Sequence, residues 1–364
     1  MINIAAPVID SEERRAVNEV IESGMLAQGP KVAELEKNWA EYCGVKHALA
    51  VNSGTAAIHC ALYAAGVKEG DEVITTPYSF IATINPILML GARPVLVDID
   101  EETFNIDVSK IEAAITEKTK AIVPVDLYGQ PCDWAELQEI AKKHNLKIVE
   151  DACQAIGAEY KGIKTGALGD FGCFSLYATK NIMCGEGGIV TTNSDEAAAA
   201  IRSFRQHGMV APYEYADLGY NYRMSDLHGA IAVEQLKKVE EFTKKRQENA
   251  RKLNDALAGV AGIKTPTISD NRNHVYHQYT ILLNKGMQRD QFIASLRDKG
   301  VGAGIYYPKP LHIYPHIAKL GYKVGDFPVA EDLAARVVSL PVHPKVTDED
   351  IEVIAAAVKE SING

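Results

Sequence analysis

The chain has 364 residues, 47% of them hydrophobic, and a formal net charge of −10 at pH 7. That length supports a large core and two domains, and an acidic balance without a basic block excludes a dedicated nucleic-acid surface, which needs clustered Lys and Arg. The six cysteines form no CxxC pair and read as reduced, mostly buried thiols rather than as a disulfide framework.

The first residues reach charge by Asp10 and carry no signal-peptide pattern. The first half then alternates β-like and helix-like runs. Strands are expected at His47–Val51, Glu72–Thr76, Pro94–Asp98, Ala121–Asp126 and Leu146–Asp151, with helical patterns between them at Ala56–Ala65 and Trp134–His144. Parallel strands need long crossovers, and helices supply them, so the pattern predicts an α/β fold with a mostly parallel sheet flanked by helices. The longest apolar run, Ile87–Val97, is broken by Gly91, Arg93 and Pro94; no membrane span is expected, and the location is expected to be cytoplasmic.

Further strands are expected at Gly172–Tyr177 and Gly188–Thr192, then one long connector helix from Ser225 to Ala258. Its Lys237-Lys238 and Lys244-Lys245 pairs sit among glutamates and read as a solvated face. Beyond it come strands at Tyr276–Leu283, Gly302–Tyr307 and Val337–Leu340, and helices at Arg289–Lys299 and Thr347–Ser361. Residues 1–245 are read as a large domain and 246–364 as a small C-terminal α+β domain.

In such sheets ligands gather at the carboxyl ends of the strands, which directs attention to four places. Lys180 lies in a small, apolar, glycine-flanked stretch; desolvation turns a lysine amine into a nucleophile towards carbonyls, the property of a Schiff-base lysine. Asp151 closes a strand, where a carboxylate suits a pyridine nitrogen, and Gln154 follows it within reach of a ring hydroxyl. Ser53-Gly54-Thr55-Ala56 leaves a strand and opens a helix, whose free amides attract phosphate; Ser175 offers a further hydroxyl. Phe80 follows another strand and could stack on an aromatic ring.

Each has a plainer reading alone: a snorkelling lysine, a helix cap, an ordinary strand–helix turn, core packing. Together they suit different parts of one cofactor. His274/His277 and His312/His316 have pairwise metal spacing, but Pro315 interrupts the second pair; surface or substrate-contacting roles fit better, and no metal is expected.

The stretches Gln28–Val32, Asn52–Ala56, Pro77–Phe80, Glu150–Ala155, Phe174-Ser175, Thr179–Asn181, Gly185–Gly188, Gly219–Met224, Tyr306–Pro308 and Leu311-His312 resemble, in order, the DegT/DnrJ/EryC1/StrS family of sugar aminotransferases. The resemblance implies a fold-type I pyridoxal 5′-phosphate (PLP) enzyme. It gives Lys180 the Schiff base, Asp151 the pyridine nitrogen, Gln154 the ring hydroxyl and Phe80 the ring face. Gly54, Thr55, Ala56 and Ser175 hold the phosphate, with Asn221 arriving from a second subunit of a homodimer. Arg223, Tyr306, Tyr307 and His312 become candidate substrate contacts, although many relatives have His-Tyr-Pro where this chain has Tyr306-Tyr307-Pro308.

The implied reaction moves the amino group of L-glutamate onto a nucleotide-linked keto-sugar, giving an amino sugar and 2-oxoglutarate. The nucleotide, the sugar carbon and the pathway (surface glycan or antibiotic) stay open. A sugar dehydratase of the same family typically replaces the lysine or adds an iron–sulfur site; Lys180 is present and the cysteines lack cluster spacing. A DNA-binding regulator would need a basic helix-turn-helix or arm, which the sequence lacks.

Overall fold

The computed structural model describes residues 1–363. Its centre is a seven-stranded sheet built from β1 (His47–Val51), β2 (Glu72–Thr75), β3 (Arg93–Leu96), β4 (Thr119–Ile122), β5 (Lys147–Asp151), β6 (Phe171–Ser175) and β7 (Gly188–Thr192). The spatial order is β1-β7-β6-β5-β4-β2-β3; β7 alone runs against its neighbours, and the other strands share one direction. The fold-type I, mostly parallel α/β reading therefore holds.

Both faces of the sheet are buried, as parallel strands require. Leu49, Val51, Cys173 and Val190 pack with the helix Gly54–Ala64 on one face. Their sequence neighbours Ala48, Ala50, Phe174 and Ile189 pack with Leu35, Trp39 and Leu236 on the other, the two-residue alternation of a strand. The helix Gly54–Ala64 is apolar nearly all round and almost wholly buried, so its N-terminus is anchored firmly beside β1.

Three expectations change. The regular strand in the run Ala121–Asp126 stops at Ile122, ahead of Pro124, which has no N–H to give; beyond it Val123 still donates to the Ile74 carbonyl and Val125 keeps an isolated bridge to Asp151. The long connector is two helices, Asp226–Leu236 and Val239–Leu257, separated by a turn in which Lys238 pairs with Asp10 and Glu13. Gly302–Tyr307 is not a strand: Gly302 donates to the Ile2 carbonyl, Gly304 bridges Ser339, and Tyr306 and Tyr307 are held by the hydroxyls of Tyr78 and Tyr128 instead of a ladder.

A second, antiparallel sheet joins Ile263–Lys264, Tyr279–Leu283 and Val337–Leu340, covered by the helices Arg289–Asp298 and Asp348–Asn363. Position 246 lies inside the helix Val239–Leu257, which sends Val239 and Phe242 into the core beside the main sheet and Ala250, Leu253 and Leu257 into the core of the second. Among the described residues, no helix is long and apolar enough to cross a membrane.

Candidate active site

The carboxyl ends of β1, β2, β5 and β6 open on one cavity of about 470 Å³. Ser53, Gly54, Thr55, Ser79, Phe80, Asp151, Gln154, Ser175, Lys180, Tyr306 and Tyr307 are among the residues lining it. Residues from four strand ends thus converge.

At the end of β1, Ser53 caps the helix Gly54–Ala64, its Oγ accepting the Ala56 N–H at 3.1 Å. The amides of Gly54 and Thr55 are left as the first-turn donors that no helix satisfies internally, at the positive end of its dipole. A side chain at Gly54 would put its Cβ 2.8 Å from Ser175 Cβ and 3.0 Å from Cys153 Sγ, so only glycine lets the helix end approach β6 this closely. The result is a small cradle for an anion.

Asp151 ends β5 and is 4% exposed. Its Oδ2 accepts the Thr83 hydroxyl at 2.7 Å, and Oδ1 accepts the Cys153 N–H at 3.2 Å. It caps no helix: the chain beyond it makes a turn, with the Ala155 N–H donating to Ala152. Gln154 therefore arrives by a turn rather than a helical step. Its Oε1 accepts the Tyr128 N–H at 3.0 Å and its Nε2 donates to the Tyr307 hydroxyl at 3.1 Å, which fixes the amide's orientation.

Lys180 lies five residues beyond the end of β6, in the loop between β6 and β7 rather than at the strand end itself. It is half-buried on the cavity wall. Among the described residues no carboxylate pairs with its amine and no group hydrogen-bonds it. Burial lowers its pKa from the ordinary lysine value, offset partly by the nearby Cys153 and Asp151. A lysine usually reaches for water or an acid; this one is held, desolvated, where a carbonyl could reach it.

His277 stands on the same wall. The Asn181 Nδ2 donates to the Val275 carbonyl at 3.1 Å, so its Oδ1 is the acceptor facing His277 Nδ1 at 3.2 Å. Burial, with Lys180 and Arg246 nearby, pushes the His277 pKa well down. The ring is thus neutral with its proton on Nδ1, leaving the Nε2 lone pair free to accept. Both His274 and His277 are buried, which corrects the surface reading of that pair.

Phe80 is 55% exposed at the mouth, its ring centroid 6.0 Å from that of Tyr307. Tyr307 and Tyr306 are fastened from below: the buried Tyr78 hydroxyl accepts the Tyr307 N–H at 2.9 Å and lies 3.1 Å from the Tyr306 carbonyl.

Other expected residues lie elsewhere. Ala56 is buried off the cavity wall and its amide is spent on Ser53. Asn221 is exposed beside the end of β1, its carbonyl accepting from Asn52 Nδ2 at 3.3 Å. Arg223 is half-buried next to Val51, off the wall formed by its own chain. His312 is fully buried, with Nε2 2.9 Å from Glu331 and its ring edge-on to Phe327. Thr83, Ser79 and Tyr78 were not singled out as site residues by sequence reasoning, and His277 was weighed only as one of a histidine pair. Ser79 and Thr83 flank Phe80 at a spacing of four, a signal visible once the turn is known.

A model of the DegT/DnrJ/EryC1/StrS aminotransferase family matches residues 7–359. The chain belongs to this family. It is similar to the GDP-perosamine synthase of Caulobacter vibrioides (strain ATCC 19089 / CIP 103742 / CB 15), 41% identical over 99% of this chain and 98% of that protein. It is equally similar, at 41% identity over 98% of this chain and 96% of the relative, to the spore coat polysaccharide biosynthesis protein SpsC of Bacillus subtilis (strain 168). The crystal structure of S. venezuelae DesV in complex with a ketimine intermediate superposes with a TM-score of 0.94 at 35% identity, covering 97% of this chain and 95% of that one. This DegT/DnrJ/EryC1/StrS member is an enzyme, a PLP-dependent sugar aminotransferase.

Proposed function

We propose that the enzyme carries PLP on Lys180 and moves the amino group of L-glutamate onto a nucleotide-linked keto-sugar, giving an amino sugar and 2-oxoglutarate. The observation that carries the reading is the unpaired, desolvated amine of Lys180 on a cavity it shares with Asp151. The cradle at Gly54 and Thr55 with Ser175 fits a phosphate, and the aromatic face of Phe80 fits a ring. When bound, PLP supplies an aldehyde that takes up amines and a cationic ring that spreads the electron pair left by a departing proton.

The residues divide the remaining work. Asp151, acceptor-only when ionised, would hold the ring nitrogen and favour its protonated form. Gln154 has one Nε2 hydrogen on Tyr307 and the other left for the ring hydroxyl. Lys180 acts as nucleophile and then as general acid and base: Nζ takes the proton from the α-carbon of glutamate and, in the second half, returns one to the sugar carbon. Its lowered pKa keeps a larger share of the amine neutral at a given pH than an exposed lysine would have.

Tyr306 and Tyr307 form the inner wall towards the sugar. Asn221 and Arg223 reach a cavity only in a homodimer, each copy completing its partner's site. Exposed Val210, Tyr213, Tyr215 and Leu218 around the ribbon Met209–Tyr215 supply an apolar surface for that contact.

The test starts from enzyme converted to its pyridoxamine form with L-glutamate and then freed of product. Each of a panel of UDP-, GDP- and dTDP-linked keto-sugars is added, and the return of the lysine-bound PLP absorbance is followed. At least one sugar is expected to restore it. Restoration by 2-oxoglutarate with none by any sugar would overturn the substrate class.

A further inference from the structure

The hydroxyls behind Asp151 form a chain with one possible polarity. Thr83 Oγ1 lies 2.7 Å from Asp151 Oδ2, and Ser79 Oγ lies 2.8 Å from Thr83 Oγ1. Ser79, Thr83 and Asp151 are all nearly inaccessible, at 2%, 1% and 4% exposure. A hydroxyl carries a single proton, and an ionised carboxylate only accepts. The Thr83 proton is therefore committed to Asp151, and the Ser79 proton must point at Thr83. With the Cys153 N–H on Oδ1, the carboxylate is gripped by one donor on each oxygen, one from two residues along its own turn and one from the turn after β2. That same turn carries Phe80, so a single short segment, Ser79 to Thr83, sets both the ring face and the acid.

We propose that Thr83, backed by Ser79, is a positioning residue for amino transfer, holding the Asp151 carboxylate in place and turned towards the ring nitrogen of PLP. The inference rests on the reading of Asp151 given above. A hydrogen bond to a charged acceptor inside a cavity is among the stronger kinds, and removing the donor leaves the acceptor short of a partner it cannot recover from water. A buried threonine hydroxyl also needs some partner for purely structural reasons, so the experiment must separate packing from positioning.

The variants are Thr83→Val, Thr83→Ser, Ser79→Ala and Asp151→Asn. PLP affinity of the apoenzyme is read by absorbance titration, kcat and KM by steady-state kinetics, and folding by the melting of the apo form. Thr83→Val is expected to weaken PLP binding about tenfold and lower kcat about tenfold, with KM for the keto-sugar within about twofold. Thr83→Ser is expected to restore both to within about threefold, and Ser79→Ala to shift both in the same direction by about threefold. Wild-type PLP affinity and kcat in Thr83→Val, or a loss in Thr83→Ser as deep as in Thr83→Val, would overturn the proposal. If Thr83→Val fails to fold, Thr83→Ala is judged by the same thresholds. Asp151→Asn separates the two levels: if it too keeps PLP affinity and turnover, the reading of Asp151 fails; if it loses both while Thr83→Val does not, only the role of Thr83 fails.

Discussion

The floor and the rim of the cavity are built on different principles. On the floor, Gly54, Asp151 and Ser175 sit at or just beyond strand ends of one sheet, are buried, and are locked by neighbours such as Ser53, Thr83 and Cys153. On the rim, Phe80 and Glu186 are exposed, and the candidate phosphate contact Asn221 and candidate substrate contact Arg223 stand off the wall of their own chain. A rigid floor suits a cofactor that stays, and an open rim suits substrates that differ between relatives. Among the described residues no side chain pairs with the Lys180 amine on that wall, which is where the chemistry is expected.

The sharpest way to break the contrast is to remove that residue. Lys180→Ala is expected to lower turnover at least about a thousandfold in steady-state assays while the apo form melts normally, because a nucleophile is lost but no packed contact. Normal turnover would place the reaction elsewhere. On the rim, Arg223→Ala is expected to raise KM for the keto-sugar about tenfold with little change in kcat, the signature of uniform binding. His312→Ala makes the opposite prediction: a stability loss of about 2–4 kcal/mol in urea unfolding with KM unchanged, since His312 is packed against Phe327 and Glu331 away from the cavity. Equal KM effects from both would erase the distinction between rim and scaffold.

The smallest effect concerns Glu150, which neighbours Asp151 on β5 and so faces the other side of the sheet. Asp151 has a hydroxyl donor and a cavity; Glu150 has backbone donors from Gly166 and Leu168 and a second buried acid, Asp126. Burial pushes both carboxyls of the Asp126–Glu150 pair up; Asp126 raises Glu150 further, while a hydrogen bond from Glu150 favours the charged form of Asp126, the pattern of two acids sharing a proton. The folded state therefore holds a proton that the unfolded state has released above roughly pH 4–4.5. Stability from this proton is fully present below that pH and is lost as pH rises towards the elevated folded value. In Glu150→Gln the amide can donate to Asp126, and the decline in stability between pH 5 and 8 should flatten by up to about 1.4 kcal/mol per pH unit. An unchanged slope in denaturation curves would mean that the pair does not share a proton.

The floor was legible in the sequence because strand ends announce themselves. β1 and β7 matched the expected strands residue for residue, and β5 differed by one, so the residues following them could be placed together before any coordinates were known. The segment Gly302–Tyr307 misled for a physical reason: its alternating apolar pattern reads as a strand, but two buried tyrosine hydroxyls from distant elements claim its backbone. The break at Lys237-Lys238 was equally hidden, since lysine is a good helix former and the turn depends on acids more than two hundred residues away in Asp10 and Glu13. Thr83 escaped notice because a lone threonine has no pattern; its role exists only when the sheet brings the carboxyl ends of β2 and β5 together across β4.

The attachment of PLP to Lys180 is tested most directly by trapping it. Enzyme loaded with PLP is reduced with borohydride, digested, and its peptides are weighed by mass spectrometry. The prediction is a single pyridoxyl addition on the peptide containing Lys180, absent when L-glutamate is supplied before the reductant. An addition on another lysine, or none on a protein that turns over, would contradict it.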